Sequence, residues 1–474
     1  VINKNLFGLF INKEMRTMSE DRTDHLTGNF EKIKRIIQHY RPQIDPFKQI
    51  HKEEFRTRQT KLANALQNEG YQIGIVFSDE QYCGDVPYLG GNTNVSIEQV
   101  AGIIGTNGFH IVAGLEGGYI AEQMAPRASA HVHKVELLQL ADEKYPIEAE
   151  TLEDVIEAAS GQSIDQVKKI GVLTPRQVIP AALIAYLNQL FGKENVVDKQ
   201  EVYFKIKNLK SENELDIIKD ASKIGDAMMR AMLAVIKPGM LETEVASWAY
   251  FVAHQLGAEQ MGFKVMVGAN EANRTLIGQA LNRVIERGDW VHLGVAPQRD
   301  GLTSCIRRSV IAGLDADERS DDQKYWFKFI EDAYQVGFEK YVEICEKKLP
   351  AKLQEQALVD YFRSKSDEVS NRIGKKITLD KYKPYTGTHN SGYTECQEFY
   401  GAITLESEEP LAERVVTMLD VALRGFGNMW NDDVIPDFDY IVLENTLGKW
   451  GDKVECLNDL PLNVQHLIGK GFND

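Results

Sequence analysis

Between Phe30 and Tyr40, apolar residues fall at Phe30, Ile33, Ile36 and Ile37, the spacing of one helix face, while residues 1 to about 50 are otherwise polar and charged. The pattern predicts an N-terminal extension, residues 1–50, with its helix packed on the first domain. From Phe55 the rhythm changes. A helix over Arg56–Asn68 precedes the apolar run Ile73-Gly-Ile-Val-Phe77, and similar runs recur at Ile111-Val-Ala-Gly114 and Ile170-Gly-Val-Leu173 before a helix over Pro180–Phe191. Short apolar runs bounded by turn residues read as buried strands, and their alternation with helices predicts an α/β domain with a mixed sheet over residues 51–205.

A second unit, residues 206–474, opens on a helix that the sequence caps explicitly. Ser211 is placed to accept from the Glu214 amide while Glu214 reaches back, and Leu215, Ile218 and Ala221 share one face. Lys237-Pro-Gly-Met-Leu-Glu-Thr-Glu then ends one helix and begins another, because Pro and Gly interrupt the first and acidic residues favour a new N-terminus. Long helices over Asp321–Lys348 and Leu353–Ser364 precede a strand-rich end at Val415–Asp420 and Tyr440–Leu443. No internal repeat or low-complexity tract interrupts this order.

At 474 residues and 43% hydrophobic content, the chain can bury the cores of two or three domains. Its 70 acidic and 54 basic residues give a formal charge of −16, which repels phosphate backbones and anionic lipid; neither nucleic acid nor a membrane is an expected partner. Cys83, Cys305, Cys345, Cys396 and Cys456 are widely spread without a Cys-x-x-Cys pair, which points to reduced thiols and a cytoplasmic location. No apolar run approaches the roughly 18 residues of a membrane span. The segment Leu6-Phe-Gly-Leu-Phe-Ile11 is short and lacks a following small-residue cleavage site, and Met15 and Met18 are candidate starts.

The candidate chemistry centres on residues 383–398, Lys-Pro-Tyr-Thr-Gly-Thr-His389-Asn-Ser-Gly392-Tyr-Thr-Glu-Cys396-Gln-Glu. This frame resembles the His-x-x-Gly-Leu-x-x-His loop of the creatinase and aminopeptidase P family; His389 and Gly392 match, and the second His falls on Cys396. The Lys210-Ser-x-x-Glu214 helix opening, the Lys237-Pro-Gly-x-x-Glu turn, the strand Arg287-Gly-Asp-Trp-Val, and Asp300-Gly301 with Arg308 follow the family order. Over roughly residues 50–460 the resemblance implies a creatinase-like α/β N-terminal domain followed by an α+β pita-bread domain.

In the family's metallopeptidases, two Asp, one His and two Glu hold a pair of divalent ions that share a hydroxide nucleophile. The resemblance places Gly294 at the first Asp, Cys305 at the second, His389 at the His, Leu419 or Asp420 at the first Glu, and Asp437-Phe438-Asp439 at the last. It therefore implies neither a paired-metal centre nor another cofactor. Creatinase is the precedent for hydrolysis without metal, but its catalytic His belongs to a segment that here reads Arg274 to Arg287 and contains no His.

His292, two residues before Gly294 on a strand of period two, shares the inward face and is the candidate partner of His389; the structural alternative is a core histidine beside Trp290. For His389 the alternative is an inherited packing residue. Cys305 and Cys396 either form a thiolate and imidazole arrangement with a histidine or simply fill space. Asp420, Asp437 and Asp439 can orient an imidazole or hold a cationic or amide group, or they solvate the turn at Pro436. Arg308 contacts substrate or makes a structural ion pair; Tyr385 supplies a phenol where many relatives have another His. Trp430, in the Asn428–Asp433 loop, either lines the pocket or belongs to an ordinary hairpin.

These readings give His389, His292 and Asp420 as catalytic candidates, with Tyr385, Cys396, Arg308, Asp439, Trp430 and Cys305 around a small polar substrate. Three functions remain open. The first is metal-independent, creatinase-like hydrolysis or elimination at a C–N bond by His acid/base chemistry. The second is a non-catalytic peptidase-like scaffold for a basic partner, as in a histone chaperone subunit; the third is a one-metal hydrolase with His292, His389 and Asp420 as ligands, or a Xaa-Pro peptidase relative with substituted ligands. The resemblance also implies a homodimer or dimer of dimers, with the Tyr82–Asn92 loop closing a neighbour's pocket.

Overall fold

A computed structural model describes residues 26–139, 149–394, 401–436 and 438–472. The first sheet contains Ile73–Ser78 (β1), Val100–Gly105 (β2), Gly108–Ala113 (β3), His131–Lys134 (β4), Ile170–Val172 (β5) and Val196–Asp198 (β6), ordered β4-β3-β2-β1-β5-β6. β1, β2 and β5 are buried throughout, as their unbroken apolar runs require. Antiparallel β1–β2 and β2–β3 pairs combine with parallel β1–β5, β5–β6 and β3–β4 pairs, giving the mixed sheet expected of an α/β domain.

The second domain is entered through the helix Glu212–Val235, whose Ser211–Glu214 capping box forms as the sequence predicts. A three-stranded sheet contains Gln260–Met261 (β7), Pro297–Arg299 (β10) and Leu302–Thr303 (β11). The larger sheet contains Met266–Ala269 (β8), Trp290–Val295 (β9), Ile306–Ile311 (β12), Thr388–Asn390 (β13), Arg414–Arg424 (β14), Tyr440–Trp450 (β15) and Lys453–Cys456 (β16). Its order is β13-β14-β15-β12-β9-β8, with β16 paired to β15. Trp326, Phe329, Ile330 and Tyr341 of the helix Asp321–Lys347 cover one side, in a core with Leu419, Val421, Leu423, Ile441 and Leu443. Burying side chains of this size contributes about 1.5–3 kcal/mol each before entropy is counted, so helix packing strongly fixes which strand positions point inward.

The N-terminal helix, residues 26–40, differs from the sequence expectation in its docking. Ile33, Ile36 and Tyr40 join the core containing Met228, Met232 and Val252 of the second domain, while Lys32 donates to the Ala234 carbonyl at 3.2 Å. The apolar face was readable, but its partner was not: any sufficiently apolar surface satisfies the same periodicity. Among the described residues no helix is long and apolar enough to cross a membrane.

Candidate active site

Alternation along the long strands decides which groups meet. Leu419, Val421 and Leu443 face the helix-covered core, so Met418, Asp420 and Glu444 project from the opposite face. Register pairs Asp420 with Glu444, Glu444 with Arg307, and Arg307 with Gly294. These positions form a row across β14, β15, β12 and β9. His389 on β13 lies opposite Met418, displaced from that row, yet His389, Asp420 and Glu444 still bring candidate ligand atoms within 4.8 Å of one another.

The buried Arg307 guanidinium organises this row. Nη1 donates to the Tyr385 hydroxyl at 3.1 Å and to Asp420 Oδ2 at 3.3 Å; Nη2 donates to the Tyr440 hydroxyl at 2.9 Å and to the Leu276 carbonyl; Nε lies 3.8 Å from Glu444 Oε2. Leu276 has φ 59° and ψ −53°, and Ile277 N–H donates to the Thr275 carbonyl, a strained γ-turn that directs a backbone acceptor onto Arg307. Gly294 leaves room for the arginine stem: an added Cβ would lie 3.2 Å from Arg307 Cγ and 3.2 Å from Met266 Sδ.

The two carboxyls are pushed in opposite directions. Burial and then Glu444 raise Asp420 to about 7, with Arg307, His389 and Tyr385 opposing them. Burial also acts to raise Glu444, but His389, Arg307 and the Cys305 thiol outweigh it and hold the group below its ordinary value. Burial opposes charge on Arg307, whereas the surrounding phenols and carboxyls hold its pKa well above the usual value. His389 Nδ1 is 3.1 Å from the Asn390 carbonyl and Nε2 is 3.5 Å from Glu444 Oε1. Both ring nitrogens face oxygen acceptors, an arrangement suited to an imidazolium.

The loop bearing these groups is fixed from both domains. Glu355 Oε1 accepts from Lys383 at 2.7 Å and Oε2 accepts from the Gly387 amide at 2.8 Å. Beyond His389, Thr303 N–H donates to the Gly392 carbonyl at 2.7 Å, and Arg58 of the helix Lys52–Asn68 donates to the Tyr393 hydroxyl at 3.0 Å. The first domain therefore directly supports the segment that presents His389.

Several sequence expectations require correction. His292 faces the same side of the sheet but is four inter-strand steps from His389, about 19 Å along a flat sheet at ~4.8 Å per step. It is fully buried, neither ring nitrogen has a hydrogen-bond partner among the described residues, and burial followed by Arg307 lowers its pKa to about 3. It is not positioned as the acid/base partner of His389 or as a ligand beside it. Arg308 is likewise not a substrate contact: its buried guanidinium binds the carbonyls of Arg307, Glu444, Leu460 and Pro461 and the Asn445 side chain. Cys305 is fully buried, and its thiol helps to hold the Glu444 carboxyl below its ordinary value.

Tyr385 and Asp420 meet in the row, but Asp439 and Trp430 belong to a different rim, where Arg274 bonds Asp439 at 2.7 Å and also contacts Asp433 and the Trp430 carbonyl. Cys396 and Asp437 lie outside the described residues. The last carboxylate, expected within Asp437–Asp439, is instead Glu444 in Leu443-Glu444-Asn445. Sequence reasoning missed both Glu444 and Arg307. A lone acid within the apolar β15 run was one signal; the other was that Arg307, rather than Arg308, shares strand parity with Cys305. The Tyr82–Asn92 segment is engaged by its own chain, with α-helical residues Asp85–Gly90 buried and Gly84 close against Tyr393 and Thr394.

The donor chemistry does not fit a paired-metal centre. Gly294 and Cys305 remove two carboxylate positions, while the Arg307 cation contacts or approaches both remaining carboxyls. His389, Asp420 and Glu444 contain enough donor types for one ion, but Arg307 places a competing positive charge in the same row.

Comparisons with known proteins agree with the motif order. Residues 216–416 match metallopeptidase family M24. The chain is 24% identical over 246 residues to an uncharacterized peptidase, YqhT, of Bacillus subtilis, covering 52% of this chain and 65% of that relative. It is 26% identical over 200 residues to a Xaa-Pro dipeptidase of Pyrococcus horikoshii, covering 42% and 55%, respectively. The alignments thus span less than two thirds of either relative. In structure, an X-Pro aminopeptidase of Thermotoga maritima has a TM-score of 0.65 at 18% identity over 85% of this chain and 98% of that protein, supporting the pita-bread fold. The M24 match over residues 216–416 and the shared pita-bread architecture agree with the resemblance to the creatinase and aminopeptidase P family that the ordered motifs carry.

Proposed function

We propose that this protein is a metal-independent hydrolase acting on a C–N bond of a small polar substrate. The observation carrying this reading is Arg307, a fixed cation between Asp420 and Glu444 where the family instead uses metal-binding chemistry. In the proposed reaction, the ionised member of the Asp420–Glu444 pair takes a proton from water as its oxygen attacks the substrate carbon. The C–N bond breaks as His389 transfers a proton to the leaving nitrogen, and the proton gained by the carboxyl pair resets His389 across its Glu444 contact. Arg307 positions and compensates the carboxyls without supplying a proton. A homodimer is proposed alongside this activity; solution mass at micromolar concentration tests it.

A panel of small amides, ureas and guanidino compounds incubated with chelator-treated protein should yield a turned-over C–N substrate, with turnover lost in His389→Ala. Complete absence of hydrolysis across the panel, with folded protein and a reproducible protein partner, would favour the scaffold reading. The proximity of His389, Asp420 and Glu444 separately supports a one-metal alternative; strict restoration of activity by one manganese, cobalt or zinc ion would select it.

A further inference from the structure

Between the domains, a cavity of about 280 Å³ is lined by Gln298 and Thr394, with Phe263, Met261 and Tyr250 supplying apolar contact surface and Cys83 bordering it from the first domain. Gln298 is 1% exposed and Thr394 is 2% exposed. Gln298 Nε2 donates to Thr303 Oγ1 at 3.0 Å and lies 3.8 Å from Cys83 Sγ, but among the described residues Gln298 Oε1 and Thr394 Oγ1 have no hydrogen-bond partner. Buried polar atoms ordinarily require such partners. The two residues that carry these atoms both line the cavity, which points to a ligand or ordered water there.

We propose that this cavity binds the uncharged carboxamide or ureido substituent of the substrate. This inference rests on the small-substrate C–N hydrolase reading and identifies a recognition subsite beyond its acid/base groups. A planar amide or urea combines donor N–H groups with a carbonyl acceptor, matching the Gln298 carboxamide and the Thr394 hydroxyl in either amide orientation. An aliphatic stem can pack on Phe263, Met261 and Tyr250. Glu80 and Lys264 also border the cavity, but their exposed, opposite charges do not make a buried site selective for an anion or a cation.

The cavity is joined structurally to the candidate active site. Gln298 pairs with Thr303 immediately before the Cys305 segment, and Thr394 follows His389 in the same loop. Phe263 packs against the cluster of Ala296, Cys305 and Met418, while Met418 lies opposite His389 in the β13–β14 register. This continuity provides a physical reason for recognition at the cavity to orient the reacting part of a substrate near His389.

Ligand-observed NMR with butanamide, propylurea, butanoate and butylammonium tests the assignment using similarly sized probes. The two neutral probes should bind at least ~10-fold more tightly than either charged probe, and Thr394→Val or Gln298→Leu should weaken the neutral probes about three- to tenfold. Intermolecular NOEs in the parent protein must connect the neutral probes to Phe263 or Met261. Equal binding of all probes, no neutral-probe binding, or unchanged affinity in both folded variants overturns the subsite. Probe binding with no hydrolysis of the wider C–N panel preserves this subsite while rejecting its hydrolase context; hydrolysis that depends on His389 without neutral-probe recognition does the reverse.

Discussion

Arg307 links the two carboxyls of the candidate active site: Nη1 lies 3.3 Å from Asp420 Oδ2, while Nε lies 3.8 Å from Glu444 Oε2. The same guanidinium bonds both tyrosines and the strained Leu276 carbonyl, so it is the common member of the site's polar contacts. This relationship makes metal substitution by a resident protein cation a physical hypothesis with separate consequences for stability and catalysis.

Replacing Arg307 with Met removes the cation but leaves Asp420 and Glu444 buried. The expected destabilisation is about 3–5 kcal/mol, measured by reversible denaturant unfolding, because breaking one member of a buried charged network leaves the others uncompensated. Adding Asp420→Asn should recover part of that loss and give a non-additive double-mutant cycle. An additive cycle would separate Arg307 energetically from Asp420.

His389→Ala should lower turnover by about a hundredfold or more while leaving the unfolding midpoint nearly unchanged, consistent with loss of a positioned acid/base group. His292→Leu should instead retain turnover and preserve stability, since the native imidazole is buried with no hydrogen-bond partner among the described residues. Parallel kinetic and unfolding measurements distinguish these roles. Loss of turnover in His292→Leu without loss of folding would return His292 to the reaction.

A second histidine environment gives a signed pH prediction. Burial, followed by His133 and His131, lowers His110 from 6.5 to about 4; His110 Nδ1 is 2.9 Å from His133 Nε2, and Glu150 contacts His133 Nδ1 at 2.7 Å. Burial lowers His292 to about 3. Because their folded-state pKa values are depressed, their stability contribution is present above the unfolded value of 6.5 and declines as pH falls through that value towards 4 and 3. Urea unfolding from about pH 7.5 to 5 should show this loss, with a smaller slope in His110→Gln. An unchanged slope in that variant would exclude a measurable His110 contribution.

Restoring the missing family carboxylates while removing the resident cation should create a cation site. The combined Gly294→Asp, Cys305→Asp and Arg307→Thr protein is expected to bind manganese or cobalt more tightly than the parent by at least ~10-fold in equilibrium dialysis. Lack of an affinity increase in a folded triple variant would show that more than this charge exchange separates the site from a metallopeptidase centre.

The sequence made the α/β and strand-rich units legible because buried runs such as Ile73–Phe77 and the Ser211–Glu214 cap carry strong local constraints. It also identified His389, Asp420 and Tyr385 as candidate chemistry, and the structure places Asp420 and Tyr385 in direct contact. It did not identify the Arg307–Glu444 relationship, because one residue of strand parity decides whether Arg307 or Arg308 faces the site. The N-terminal apolar helix likewise announced a packing face but not the distant Met228 and Met232 surface that receives it. These are tertiary choices that local periodicity leaves degenerate.

Elemental analysis of protein purified without chelator, then equilibrated separately with manganese, cobalt and zinc and freed of excess ion, tests the central claim most directly. The account predicts substantially less than one bound ion per chain because Arg307 already compensates Asp420 and Glu444. One or two stoichiometric ions bound in the native site would contradict it and make metal chemistry, rather than a resident arginine, the organising principle of this centre.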